Sequence, residues 1–173
     1  MNYKRYFTEN SPLFVTLVTY KRQYILLDNI QLLRDAFKNA KQYFNFQIIA
    51  ICIMQDHIHM IISPENVADY PRIITSIKYY FSKNVDVGQE CPTYGYINKR
   101  EKGIWQRRFY EHTISNEEDL NRHIDYIHYN SYKHYNILPK DWEHSSFDKF
   151  VQNGFYEKNW IVDDKVFEGI GCE

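Results

Sequence analysis

The chain has 173 residues, a length that fits one domain with a sizeable core. Its apolar fraction of 44% and its negative mean hydropathy argue against a membrane protein, and no apolar run reaches spanning length. Its three cysteines, Cys52, Cys91 and Cys172, are widely spaced without a CxxC motif, which predicts reduced thiols rather than a disulfide framework.

The net charge of -1 conceals a gradient along the chain. Residues 1–150 carry 19 basic and 17 acidic side chains, whereas residues 151–173 carry 2 basic and 5 acidic ones. The segment Lys99–Arg108 holds five basic residues and one acidic residue. Aromatic residues make up 17% of the chain, and such side chains fill cores or stack on unpaired bases.

The apolar pattern predicts four strands and three helices in the order strand, helix, strand, strand, helix, strand, helix. The expected strands are 13–20, 46–54, 57–63 and 104–114, and the expected helices are about 29–44, 68–84 and 116–134. Asp28 and Asn116 are the expected N-caps of the first and third helices, and Gln55-Asp56 is the expected turn of a hairpin. This order matches the β-α-β-β-α-β split unit, so we expect an α+β, ferredoxin-like fold with an added C-terminal helix.

Beyond Pro139 the pattern becomes irregular. Aromatic side chains in this part are expected to pack back onto the domain, namely Trp142, Phe147, Phe150, Phe155 and Trp160. We therefore expect one domain over residues 1–150 and an acidic extension over 151–173 that packs on it.

Two histidines lie in the apolar run Met54–Ile62. Because residues two apart on a strand share a face, His57 and His59 should project together while Ile58 points into a core. Such a pair can hold a metal ion, or it can simply be satisfied by hydrogen bonds at a sheet rim. His-x-His is a short and common motif, so it does not choose between the two by itself.

The third helix contains Tyr126 and Asn130, four residues apart and therefore on one face. Two imidazoles and one amide oxygen would bind a divalent cation, Mg2+ or Mn2+, with the imidazoles favouring Mn2+. A tyrosine hydroxyl positioned beside such an ion can attack phosphorus.

Other interpretations of this helix stay open. Most tyrosines in a chain with 16 of them are structural, and Tyr129 and Tyr132 are rival candidates on the same helix. Asp125 and Glu111 can be acid-base helpers or metal ligands, but surface charges are the more common outcome for such residues.

Two basic-aromatic segments are candidates for DNA contact. The first is Tyr3, Lys4, Arg5 and Tyr6, which can equally be a solvated terminus. The second surrounds Trp105 and comprises Lys99, Arg100, Lys102, Arg107 and Arg108. Cations for phosphates and rings for bases suit a single-strand groove, although a solvated charged loop is more common for such a run.

Four segments together resemble a known family, over about residues 3–148. They are Tyr3–Tyr6, Gln55–His59, Ile104–His112 and His123–Asn130. In order, spacing and content the sequence resembles the single-tyrosine HUH transposases, in particular the REP-associated tyrosine transposases of bacteria.

The resemblance implies a ferredoxin-like HUH nuclease domain with the third helix as its catalytic helix. His57, His59 and Asn130 would be the metal ligands, and Tyr126 would cut single-stranded DNA and remain joined to the 5′ phosphate. The substrate would be a short hairpin with a flanking recognition sequence, read in part by Tyr3–Tyr6. The protein is expected in the bacterial cytoplasm, associated with the nucleoid when bound to DNA, with a monomer favoured over a homodimer.

One departure from the family pattern is that Ser131 follows Asn130, where family members usually have proline. This puts in doubt how the chain leaves the helix, but the chemistry is unaffected. Two alternatives to a tyrosine nuclease remain: a domesticated module that binds hairpin or single-stranded DNA without cutting, and a metallo-hydrolase that uses water.

Overall fold

The structure is a computed structural model that describes residues 11–86, 103–167 and 169–170. Its strands are β1 (Leu13–Val18), β2 (Phe46–Ile53), β3 (His57–Pro64) and β4 (Tyr110–Thr113), and its helices are α1 (Ile30–Tyr43), α2 (Tyr70–Asn84), α3 (Glu117–Tyr135) and α4 (Phe147–Gln152). Within these ranges, no helix is long and apolar enough to cross a bilayer.

The four strands form one antiparallel sheet in the order β2-β3-β1-β4. Strand β3 lies between β1 and β2, so those two strands run parallel to each other around it. This is the topology of the split β-α-β-β-α-β unit and confirms the predicted ferredoxin-like α+β fold.

Each face of the sheet covers a separate core, because alternate side chains of a strand point to opposite faces. Leu13, Val15, Leu17, Ile58 and Met60 point toward α1 and α2 and form the first core. Phe14 and Ile61 belong to the second core, which is covered by α3 and by the described residues that follow α3, here called the C-terminal segment. Both histidines of β3 project on this second face, toward α3.

The first and fourth strands are shorter than predicted. β1 ends at Val18, and the chain then turns through a short 3-10 helix at Tyr20–Arg22. The prediction of a strand over 104–114 is wrong, since only Tyr110–Thr113 pairs continuously and Trp105 forms an isolated bridge with Thr19. Between Trp105 and Tyr110 the chain has two more residues than it has between their partners, Thr19 and Thr16. The ladder must therefore break there.

The helix boundaries agree with the sequence to within about two residues. Asn116 caps α3 by accepting a hydrogen bond from the backbone NH of Asp119, as predicted. Asp28 is not the cap of α1, because the helix begins after Asn29. At its other end α3 stops at Asn136, whose left-handed φ of 55° suits an asparagine and ends the helix without the family proline.

The C-terminal segment packs on the second face and covers the edge of β2. The backbone NH of Ile53 donates to His144 O and that of Ser146 donates to Ile51 O, each at 2.9 Å. The indole of Trp142 donates to Ile53 O at 3.1 Å. Phe147 is buried, but Phe155 is 71% exposed, so the expectation that Phe155 packs onto the domain is wrong.

Cys52 is a buried free thiol, as predicted. Burial raises the pKa of this thiol, and a hydrogen bond with Trp142 only partly opposes the rise. The thiol is therefore protonated and inert at neutral pH. Cys91 and Cys172 lie outside the described residues.

Candidate active site

The two histidines of β3 lie side by side on the face toward α3. His57 is 2% and His59 0% exposed, and their ring centroids are 4.8 Å apart at an interplanar angle of 78°. The intervening Ile58 points into the opposite core. The predicted shared direction of the two imidazoles is thus confirmed.

Neighbouring polar groups hold each imidazole through its Nδ1 atom. Nδ1 of His57 is 2.6 Å from an Asp56 carboxylate oxygen, and Nδ1 of His59 is 2.8 Å from the Thr16 hydroxyl. These contacts fix the ring orientations and leave Nε2 as the nitrogen that could coordinate an ion.

Asp56 is itself held in place by a cation. Arg22 donates to the second Asp56 oxygen at 3.2 Å. Burial raises the pKa of Asp56, but hydrogen bonds and charge interactions with His57 and Arg22 outweigh burial and hold the pKa below its ordinary value of 3.8. Asp56 is therefore an ionised acceptor at neutral pH, which favours a proton on His57 Nδ1.

Helix α3 packs against this histidine pair through Tyr126 and His134, and Asn130 lies between those two residues on the same helix face. The Tyr126 ring lies 5.2 Å from the ring of His59, and the Tyr126 side chain is 1% exposed. Asn130 is fully buried, and its amide nitrogen donates to the backbone carbonyl of Tyr126 at 2.8 Å. The Tyr126 ring therefore lies beside an imidazole, and the spacing of four residues puts Asn130 on the same face of α3.

Two acceptor atoms at this place are buried without a hydrogen-bond partner among the described residues: Nε2 of His57 and Oδ1 of Asn130. Leaving such atoms unsatisfied costs free energy, and they are rare in folded proteins. An imidazole nitrogen and an amide oxygen are both ligands for Mn2+ and related cations. The residues present therefore fit a divalent cation bound between β3 and α3.

The rival tyrosines have other surroundings. Tyr129 packs against Tyr132 at 5.6 Å and against Phe167 at 5.1 Å between ring centroids. Tyr126 also contacts Phe167, at 5.8 Å, so the C-terminal segment covers it.

Asp125 and Glu111, which the sequence favours as surface charges, are both partly buried. Asp125 accepts a hydrogen bond from the Tyr156 hydroxyl at 2.6 Å. Burial raises its pKa more than this hydrogen bond lowers it. Asp125 thus ties the C-terminal segment to α3.

Of the residues predicted to contact DNA, three lie within the described part of the chain. Arg107 and Arg108 are exposed. Trp105 is 8% exposed and its ring lies 5.5 Å from that of Phe81 in the first core, which contradicts a role in stacking on bases. The remaining candidates lie outside the described residues: Tyr3, Lys4, Arg5, Tyr6, Lys99, Arg100 and Lys102.

Sequence reasoning missed several residues at the site. Lys133 donates to the Tyr126 hydroxyl at 3.5 Å and lies 5.2 Å from its ring centroid, and the ring of His134 is 5.0 Å from that of His57. Helical spacing could have revealed both, since Lys133 is seven residues after Tyr126 and His134 is four after Asn130. For Thr16 and Arg22 the sequence carries no comparable signal, because only the tertiary fold brings them to β3.

A second polar cluster lies where β4 meets the start of α3. Ligand-type atoms of His112, Asp119 and His123 all lie within 4.8 Å of one another. The Asp119 carboxylate, however, already accepts hydrogen bonds from His112 at 2.9 Å and from the Ser115 backbone at 2.8 Å. Burial raises the pKa of Asp119, and these bonds outweigh that effect and lower it. The cluster is thus a network that fastens α3 to β4.

Comparisons with known proteins show to which family the chain is similar. A family model described as "Transposase IS200 like" matches residues 9–130. A Haemophilus influenzae protein named as a REP-associated tyrosine transposase is 40% identical over 164 residues, 92% of each chain. A REP-associated tyrosine transposase of Escherichia coli K12 is 31% identical over 164 residues, 93% of this chain and 91% of its own.

A solved structure of a REP-associated tyrosine transposase bound to a REP hairpin has a TM-score of 0.79 and 30% identity, covering 94% of this chain and 92% of that one. The chain therefore belongs to the IS200-like transposase family. Within that family it groups with the REP-associated tyrosine transposases, as the resemblance of the four sequence segments predicted.

Proposed function

We propose that the protein is a metal-dependent endonuclease and strand transferase for single-stranded DNA, with Tyr126 as its nucleophile. The proposal depends on two buried acceptors, His57 Nε2 and Asn130 Oδ1, that have no hydrogen-bond partner among the described residues. Tyr126, which shares a helix face with Asn130, lies beside the second histidine. A structural histidine pair would have its hydrogen-bonding atoms satisfied within the protein. The domain would comprise residues 1–150, with 151–173 as an acidic extension.

In the proposed site His57, His59 and Asn130 hold the cation, which is Mg2+ or Mn2+. A bound cation would act as a Lewis acid on a non-bridging phosphoryl oxygen. The Asp56 carboxylate can only accept, so it keeps His57 in the tautomer that coordinates through Nε2, and the Thr16 hydroxyl can accept from His59 Nδ1 in the same tautomer. The bond from Asn130 to the Tyr126 carbonyl uses its NH2 group and so directs its oxygen into the site.

Tyr126 then performs the chemical step. Its hydroxyl oxygen bonds to phosphorus as the bond from phosphorus to the 3′ oxygen breaks. In the net reaction the phenol loses its proton and the departing 3′ oxygen gains one. The products are a 5′-phosphotyrosine and a free 3′ hydroxyl, and the reverse attack by a 3′ hydroxyl rejoins strands. Lys133 supports this step because its ammonium group donates to the attacking oxygen and stabilises negative charge there.

The proposed substrate is a DNA hairpin with a short unpaired flank. Support comes from the solved relative, which was bound to a REP hairpin. The exposed cations Arg107 and Arg108 suit phosphate contact, and the segments Tyr3–Tyr6 and Lys99–Lys102 remain proposed DNA contacts. The rings of Tyr126 and His59 lie 5.2 Å apart within one chain, which supports a nucleophile and metal ligands from the same chain. We therefore propose that the protein acts as a monomer in the cytoplasm.

One observation favours a second function, a module that binds hairpin DNA without cutting it. Tyr126 is 1% exposed beneath Phe167, so a phosphate cannot reach its hydroxyl until the C-terminal segment moves. A non-cutting module would, however, have no use for two buried acceptors that lack a partner in the described part of the chain.

The test is a denaturing gel of the protein with 5′- and 3′-labelled hairpin oligonucleotides and Mn2+. We expect the strand downstream of the cut to travel with wild-type protein, and Tyr126→Phe to give no adduct and no cut. The matched control is Tyr129→Phe, which removes a hydroxyl from another buried tyrosine of α3 and should leave the adduct. Binding without an adduct would favour the non-cutting module, and cut products without an adduct would favour a water-using nuclease.

A further inference from the structure

The loop after β1, residues Thr19–Tyr24, lies against the turn that carries His57. The backbone NH and the hydroxyl of Thr19 both donate to Asp56 O, at 2.8 and 3.0 Å. Arg22 pairs with the Asp56 carboxylate at 3.2 Å, and further along Leu26 NH donates to Gln55 O at 3.0 Å. The loop is therefore held against the two residues that precede His57, one of the proposed metal ligands.

The backbone of this loop is strained at two successive positions. Lys21 has a φ of 53° and Arg22 a φ of 54°, in the left-handed region that residues with a Cβ rarely adopt. Neither position is glycine or asparagine. Strain of this kind persists only where surrounding contacts impose it, and it concentrates at functional sites. Here the bonds of Thr19 and Arg22 to Asp56 supply those contacts.

The conformation leaves a group of aromatic and cationic side chains at the surface. Tyr20 is 41% and Tyr24 66% exposed, and Lys21 is exposed as well. Lys21 Nζ lies 5.5 Å from the Tyr20 ring centroid. The sequence Thr19–Tyr24 contains no acidic residue. Exposed rings beside cations are what proteins use to hold unpaired nucleotides, through base stacking and phosphate neutralisation.

We propose that this loop is a binding site for the unpaired nucleotides adjoining the scissile phosphate, with Tyr24 and Tyr20 stacking on bases and Lys21 contacting the backbone. The inference rests on the proposed function, because it assumes that the phosphate to be cut lies at His57 and Tyr126. A duplex stem is a poor occupant, since its bases are already stacked on each other and present no free faces. Arg22 orients Asp56 and so acts as a positioning residue within the loop.

The experiment measures equilibrium binding by fluorescence anisotropy in EDTA, where no cutting occurs. One probe is the REP hairpin of the solved relative extended by about eight unpaired nucleotides on each side, and the other is the same hairpin with blunt ends. Tyr24→Ala should weaken binding of the extended hairpin at least about fivefold and leave the blunt hairpin unchanged. Lys21→Ala should lower the slope of log K against log salt by about 0.7 for the extended probe alone.

Matched controls lie in the helix layer on the opposite face of the sheet. Tyr79 on α2 is 66% exposed, like Tyr24, and Lys41 on α1 lies 5.6 Å from the Phe46 ring, much as Lys21 lies over Tyr20. Tyr79→Ala and Lys41→Ala should bind both probes as wild type does. The inference is overturned if Tyr24→Ala and Tyr79→Ala bind the extended hairpin equally, or if wild type gains no affinity from the unpaired nucleotides.

The adduct gel separates this inference from the proposed function. If wild type forms the tyrosine adduct and Tyr24→Ala binds normally, the loop site is wrong and the function stands. If Tyr24→Ala loses the affinity due to the unpaired nucleotides but wild type forms no adduct, the loop site stands and the function is wrong.

Discussion

The amide of Asn130 donates a 2.8 Å hydrogen bond to the backbone carbonyl of Tyr126, one turn earlier in α3. This bond identifies the nitrogen end of the amide and leaves the buried oxygen available as the proposed cation ligand. The bond thus joins the proposed nucleophile, Tyr126, to a proposed cation ligand, Asn130.

Asn130→Ala should weaken Mn2+ binding about tenfold or more, because a ligand oxygen is lost. Asn130→Asp should retain binding, since it keeps an oxygen at the same place. Isothermal calorimetry with Mn2+ and the DNA-free protein measures both. Asn84→Ala is the control, because Asn84 makes the same bond to the carbonyl four residues earlier, at 2.7 Å, but on the exposed face of α2. Equal Mn2+ affinity of Asn130→Ala and wild type would remove Asn130 from the proposed ligands.

Asp56→Asn should reduce Mn2+ affinity about 10- to 100-fold without a large change in fold, because the neutral amide no longer favours the proton on His57 Nδ1. The same titration measures the loss. Asp69→Asn removes a carboxylate from another ion pair, with Arg72 at 3.1 Å, and should bind Mn2+ as wild type does. If both variants bind Mn2+ alike, the Asp56 contact does not tune the imidazole.

Phe167→Ala should accelerate formation of the tyrosine adduct about 5- to 30-fold, as expected if the lost contact contributes 1 to 2 kcal/mol to covering Tyr126. The rate is read from a time course of the adduct gel, and circular dichroism confirms that the variant is folded. Phe155→Ala removes an exposed ring from the same segment and should leave the rate unchanged. A folded Phe167→Ala protein with the wild-type rate would mean that the segment does not limit access to Tyr126.

Acid should destabilise the protein through His128, which is buried among Phe147, Phe150 and Tyr156. Burial lowers the pKa of His128 from 6.5 to about 3. Below about pH 6.5 the unfolded chain binds a proton at His128 that the native state does not bind. The free energy of unfolding therefore decreases as the pH is lowered, until the pKa of the folded state is reached. The slope due to this group approaches about 1.4 kcal/mol per pH unit.

Urea unfolding between about pH 6.5 and about pH 4.5 measures this slope. In the wild-type protein His128 Nε2 lies 2.8 Å from the Ser146 hydroxyl. His128→Gln keeps a side chain that can form this hydrogen bond but cannot titrate. The variant should be less stable near neutral pH and show a flatter dependence on pH. Parallel curves for wild type and His128→Gln would place the acid sensitivity elsewhere.

The sequence by itself determined the order of elements, the shared face of His57 and His59, and the shared face of Tyr126 and Asn130. These follow from local periodicity, because side chains repeat every two residues on a strand and about every 3.6 on a helix. The cap at Asn116 was equally local, since it depends on a side chain three residues from its partner.

Only the tertiary structure decided which residues of other elements contact these side chains. Thr16 and Arg22 reach the histidines because β1 pairs with β3 and its following loop folds over Asp56. The basic residues around Trp105 predict that it contacts DNA, but the packing of α2 places it in the core beside Phe81. Phe167 comes to lie on Tyr126 although 41 residues separate them in sequence. Contacts between distant segments depend on how whole elements pack, and periodicity within one element carries no information about its partner.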